Sequence, residues 1–249
     1  MALFDALRTG GFLSPSGACK TFDAKADGYC RGEAVGIVVL KPLRRALEDG
    51  DEIQGVLLQN INNTSITNPV LESQTALFRE VLTRARICPS NVSYVEAHGT
   101  GTRAGDPVEM EAIRQVVGGR NRQSVLHIGP VKANIGHTEA ASGAISLIKV
   151  LLMMKHGRIP AQVQFEKLNP GISPLEPDRM AISRSLREWN IHGNLHLALV
   201  SSYGASGSNA AALVAPPPCR PPIAKSASAE VSAWPISILA ASKTSVLEY

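Results

Sequence analysis

Aromatic residues are scarce in this chain, at 4% of 249 residues, and that scarcity excludes a base-stacking surface for single-stranded nucleic acid. No run of lysine and arginine interleaves with aromatics, and the net charge is only +4, so no nucleic acid is expected as a partner. The four cysteines, Cys19, Cys30, Cys88 and Cys219, show no paired spacing. That excludes a zinc site and a disulfide framework, and points to reduced thiols in a cytoplasmic setting. Long apolar runs are missing too. "AISLIKVLLMM" is too short to cross a bilayer and carries Lys149. "MALFDALRTGGF" lacks the basic-then-apolar order of a signal peptide. No membrane association is expected.

What is present is enough apolar material, 44%, for a sizeable core, arranged as alternating strand and helix signals. "EAVGIVVL" reads as a buried strand, "PVLESQTALFREVLTRA" as a helix and "VSYVEA" as a strand. "DPVEMEAIRQVVGG" reads as a helix, with Asp106 as N-cap, Pro107 in the first turn, Glu109 completing a capping box and Gly118 as the stop. "VLHIGPVK" is a strand. The stretch from Thr138 to Lys155 is a small-residue helix, apolar on most faces, that suits burial on all sides. "LHLALVSS" and "AAALVA" are strands around the loop "YGASGSN". The class is α/β. From Pro216, a Pro/Ala/Ser-rich stretch reads as an extended linker.

Three places share one grammar, a strand followed by a glycine-rich turn: "EAHGTGTRAGDP", "VKANIGHTEA" and "VSSYGASGSNAA". Strand ends with open backbone are where α/β proteins bind ligands. One histidine in a turn is more often a satisfied surface group than a functional one. His98 and His137 in matching contexts shift that balance. Several signatures fail. Gly99, Gly101 and Gly105 lack dinucleotide spacing, and the next strand ends on Lys132 where an acid would be needed for the ribose. No G-x-S-x-G occurs, and His196 precedes Ser206, so the order of a hydrolase triad is absent. A P-loop is also absent, and neither histidine has carboxylate or thiol neighbours at metal-ligand spacing.

"VEAHGTGTRAGDPVEMEAI", "VKANIGHTEAASGAISLIKVLLMMKHGRIP" and "LSPSGACKTFDAKADGYCRGEAVGIVVLK" resemble the β-ketoacyl synthase (ketosynthase) domain of polyketide synthases. The resemblance runs through residues 1–215. Residues 216–249 are similar to the start of the region linking ketosynthase to acyltransferase. It implies a thiolase-like five-layer fold (αβαβα), here incomplete. It also implies a decarboxylative Claisen condensation between an acyl-cysteine and a malonyl thioester. The malonyl unit would be carried on the phosphopantetheine of an acyl carrier protein, with no cofactor bound by the domain itself. By the resemblance His98, His137 and Lys132 are catalytic. Thr100, Thr102, Asn134, Tyr203 and Ala205 bind substrate or pantetheine, with Asn134 and Gly136 shaping the turn that aims His137. The loop "SSYGASGSNAA" resembles that of fungal iterative non-reducing synthases. Implied partners are the acyl carrier protein, the acyltransferase domain, the remaining ketosynthase half and a second copy in a homodimer. The family's nucleophilic cysteine, in a D-T-A-C-S-S-like elbow, has no counterpart among these residues. None of the four cysteines takes its place. Two readings follow: part of a condensing enzyme, or a non-catalytic remnant that binds a carrier protein.

Overall fold

A computed structural model describes residues 2–64, 70–189, 196–204, 207–218 and 238–241. The helices are α1 (Ala2–Thr9), α2 (Leu43–Glu48), α3 (Leu71–Ala85), α4 (Gly105–Val117), α5 (Lys132–Ile135) and α6 (Ser142–His156). The strands are β1 (Val39–Pro42), β2 (Ile53–Thr64), β3 (Val92–Glu96), β4 (Leu126–Gly129), β5 (Arg158–Ile159), β6 (Met180–Ile182), β7 (Arg187–Glu188), β8 (Leu197–Tyr203), β9 (Ser208–Ala215) and β10 (Ile238–Ala241). Eight of them form one mixed sheet in the order β1-β10-β2-β9-β8-β3-β4-β6, and β5 pairs with β7.

Strand alternation divides the core in two. On β8, Leu197 and Leu199 join α3 and α4 in one cluster, while Ala198 and Val200 join α6 and Trp189 in another. On β9, Leu213 faces the first cluster and Val214 the second. The described residues therefore make three layers, helices on either side of a sheet. Strands β3, β4 and β8 run parallel at its centre, so their carboxyl ends lie side by side, the place for a site in such sheets.

Three expectations are corrected. The stretch "EAVGIVVL" is not a buried strand. Only Val39–Pro42 is strand, and Val35 and Ile37 are 92% and 79% exposed, because none of the described elements packs over that face. The small-residue helix is not buried all round: α6 buries Ser142, Ser146, Val150, Leu151 and Met153, and leaves Leu152 exposed. Asp106 and Glu109 do not cap α4, which begins after Ala104 without any side-chain cap. They turn inward to other amides, described below. The linker from Pro216 lies largely outside the described residues; in the stretch that follows it, Ile238–Ala241 forms a strand between β1 and β2, parallel to both. The long strand β2 carries no clear strand signal in its sequence, since Gly55 and several asparagines interrupt it.

Candidate active site

The turn from His98 to Thr102 follows β3 and is held by carboxylates from α4. Glu109 accepts the backbone N–H groups of His98 and Gly99, both at 2.8 Å, and the Ser201 hydroxyl at 2.9 Å. Asp106 accepts the N–H of Gly101 at 3.1 Å and that of Phe22 at 2.6 Å. Both acids are buried. Burial pushes the Asp106 carboxyl up to about 7, with neighbouring Glu109 adding to the rise, against the backbone amides that favour its anion. Asp106 and Glu109 share one face of α4 with Met110 and Ile113. Acids on an apolar helical face are the sequence signal that these two are buried and partnered.

Glycine is required in this turn for space as well as conformation. Gly99 has φ of 46°, and a Cβ there would lie 2.8 Å from Pro130 and from the Thr21 methyl. The Thr21 hydroxyl donates to the Gly99 carbonyl at 2.7 Å.

His137 is held from the other side. Its N–H donates to the Cys30 carbonyl at 2.7 Å, and its carbonyl accepts from Gly32 at 2.8 Å. At Gly32 a Cβ would strike the Ile135 carbonyl at 2.3 Å. The two imidazoles meet edge-on with centroids 5.6 Å apart. His98 Nδ1 accepts the Tyr203 N–H at 3.2 Å, and His137 Nδ1 accepts the Glu139 N–H at 2.9 Å. An imidazole whose Nδ1 accepts carries its neutral proton on Nε2. Burial, Lys132 and His137 hold His98 well below the usual histidine value. Burial, Lys132 and Arg31 bring His137 down to about 4. At neutral pH both rings are uncharged Nε2–H donors.

Both rings line one cavity of about 720 Å³, together with Thr100, Thr102, Tyr203 and Glu139. The threonine hydroxyls lie 3.3 Å apart, and the Tyr203 ring sits 5.2 Å from His98. Lys132 does not line the cavity. It is buried at the start of α5, not at the end of β4. Burial lowers its pKa, and Glu96, Glu109 and Cys19 oppose the shift. Asn134 is exposed and reaches only toward the Ala161 carbonyl at 3.5 Å. It is not among the residues that line the cavity. Ala205 lies outside the described residues.

Cysteine chemistry does not complete the set. Cys19 is buried and burial pushes its thiol up to about 11. It donates to the Cys30 carbonyl at 3.5 Å, an inert arrangement. Cys88 is exposed elsewhere, and Cys219 lies outside the described residues. Among the described residues no cluster of three or more His, Cys, Asp or Glu side chains could hold a metal, and no helix is long and apolar enough to cross a membrane.

Residues 51–166 match the model of the β-ketoacyl synthase C-terminal domain, and residues 2–46 that of its N-terminal domain. The chain is 54% identical over 218 residues to a 5-methylorsellinic acid synthase of Aspergillus terreus, covering 85% of this chain and 8% of the relative. A non-reducing polyketide synthase of Penicillium brevicompactum is 49% identical over 217 residues, 85% of this chain and 10% of the relative. The chain thus spans about a tenth of the length of these curated relatives. Among solved structures, the ketosynthase from module 6 of the bacillaene synthase of Bacillus subtilis 168 superposes with a TM-score of 0.79 at 34% identity, covering 86% of this chain and 40% of that one. With both family models matched in order, and this ketosynthase neighbour sharing its thiolase-like architecture over part of a domain, the chain belongs to the β-ketoacyl synthase family.

Proposed function

We propose that this chain supplies the decarboxylation half of a ketosynthase site. The observation that carries the reading is the facing pair of neutral Nε2–H imidazoles, His98 and His137, in one cavity. Loss of carbon dioxide from a malonyl thioester places negative charge on the thioester oxygen. Preset, uncharged donors stabilise that charge without reorganisation. The enolate carbon then attacks an acyl thioester on a cysteine, a carbon–carbon bond forms, and the cysteine leaves as thiolate. Lys132 adds positive potential from behind the rings. Thr100 and Thr102 offer hydroxyls to the amides of a phosphopantetheine arm, whose carrier protein and acyltransferase are the implied partners. Residues 1–215 form the ketosynthase portion and 216–249 lead toward the next domain.

The cysteines favour a division of labour, since none of the described thiols lines the cavity that holds the two imidazoles. The 249-residue chain incubated with acyl- and malonyl-carrier protein is expected to yield no β-ketoacyl product, because no acyl-cysteine is held at attack distance. Co-expression with a polypeptide spanning the rest of a non-reducing ketosynthase domain should yield product, and His98→Gln should remove it. Product from the chain alone, abolished by Cys19→Ala, would overturn the assignment. Carrier-arm binding without product, even after complementation, would instead support the second reading, a binding module.

A further inference from the structure

Glu96 closes β3 two residues before His98 and is fully buried. One carboxylate oxygen accepts the Val131 N–H at 2.5 Å, in the turn that leads into Lys132. The other accepts the Lys149 ammonium at 2.7 Å and lies 3.0 Å from the Tyr94 hydroxyl. Lys149 comes from α6 and also donates to Tyr94 at 2.8 Å. Tyr94 in turn reaches the Gly129 carbonyl of β4 at 2.9 Å. One carboxylate therefore touches the strand that carries His98, the turn that carries Lys132 and the helix that follows His137.

We propose that Glu96 is a positioning residue, holding the Val131 backbone, and with it the turn that carries Lys132, in place behind the two imidazoles. The inference rests on reading His98, His137 and Lys132 as one site. A fully buried acid is costly unless it is paired and hydrogen-bonded, and here both oxygens are occupied. The charged groups around Lys132 are Glu96 at the end of β3, Glu109 of α4 and Lys149 of α6, with the Cys19 thiol beside them. Glu96 and Glu109 keep the ammonium charged, whereas Lys149 acts against it. Neither imidazole hydrogen-bonds to Glu96, so its effect on them passes through the Val131 turn and the Lys132 that follows it.

The test is the titration of Lys132 in the 249-residue chain, followed by NMR of lysines labelled at Cε and assigned with Lys132→Met. Glu96→Gln keeps the shape but removes the charge, and should lower the Lys132 midpoint by about one pH unit. Glu96→Asp should leave it closer to the original. Lys149→Met removes the opposing cation and should move the midpoint upward. The same Glu96→Gln sample should show the His137 ring losing its single Nε2–H signature in nitrogen NMR, as the turn ahead of it loosens. An unchanged Lys132 midpoint in Glu96→Gln, or a lowered one in Lys149→Met, overturns the inference. If Glu96→Gln does not fold because it leaves the Lys149 ammonium unpaired, the double variant Glu96→Gln with Lys149→Met takes its place: its Lys132 midpoint should lie below that of Lys149→Met alone, and an equal midpoint overturns the inference. Because no turnover is measured, failure of the condensation assay would remove the functional reading and leave this result standing.

Discussion

His137 shows how one residue trades stability for chemistry. Its folded pKa of about 4 lies below the unfolded value of 6.5. Above pH 6.5 both states are neutral and the ring contributes nothing to pH dependence. As pH falls from about 6.5 toward 4 the unfolded chain takes up a proton that the folded chain refuses, so stability is lost across that window. His98 acts with the same sign, and Asp106, raised to about 7, acts with the opposite one. His137→Gln should therefore flatten the acid limb between pH 6.5 and 4 in urea-melt midpoints recorded at each pH. At Gly99 the expected effect is steric. Gly99→Ala places a Cβ against Pro130 and Thr21, and should cost roughly 1–3 kcal/mol. Chemical denaturation measures the cost, and the Tyr203–His98 contact should be lost in its nitrogen spectrum.

Element placement depends on a few buried polar anchors. Arg122 is the clearest of them, with no carboxylate within ion-pair distance among the described residues. Its guanidinium donates to the Val117 carbonyl at 2.6 Å, the Pro89 carbonyl at 3.2 Å, the Ser124 carbonyl at 3.3 Å and the Val92 carbonyl. It thus satisfies the open C-terminal end of α4 and joins it to the start of β3. Arg122→Ala strands those carbonyls and should lower stability by about 2–4 kcal/mol. The α4 helix would loosen first, read as faster amide exchange at Val116 and Val117 than in the β3 core.

At the scale of the whole molecule, an apolar face lies open. Val35, Ile37 and Leu40 stand exposed, with Gly36 set against Ile145 and Ile148 of α6. Leu152 of α6 is exposed as well. A hydrophobic groove of about 780 Å³ runs past Ile145, Ile148 and Leu152. The bacillaene ketosynthase, by contrast, has 60% of its chain outside the superposition. Exposed apolar area costs about 25 cal/mol per Å², and large patches drive association. The purified chain should self-associate on size exclusion with light scattering. Ile37→Ser with Leu152→Ser should reduce that association while changing stability by less than about 0.5 kcal/mol. A monomeric, sharply melting wild-type chain would contradict this.

The amino-acid sequence by itself determined the local elements and the chemical vocabulary of the site. Helices α3 and α4, strands β3, β8 and β9, and the glycine-flanked His98 and His137 are all legible there, because periodicity and turn chemistry act over a few residues. The pairing of the two histidines was legible only through the long family motifs. Only the tertiary structure decided which groups meet. Asp106 and Glu109 look like helix caps in sequence, yet they bind the amides of the turn behind them. Lys132 looks like a strand-end residue, yet it starts α5 and is buried outside the cavity lining. Asn134 looks like part of the site, yet it turns outward. The apolar stretch at residues 33–40 looks like a core strand, yet it lies open. The physical reason is the same each time. A side chain's local pattern sets how polar or apolar it is, but its partner is chosen by packing across the sheet, between residues far apart in the chain.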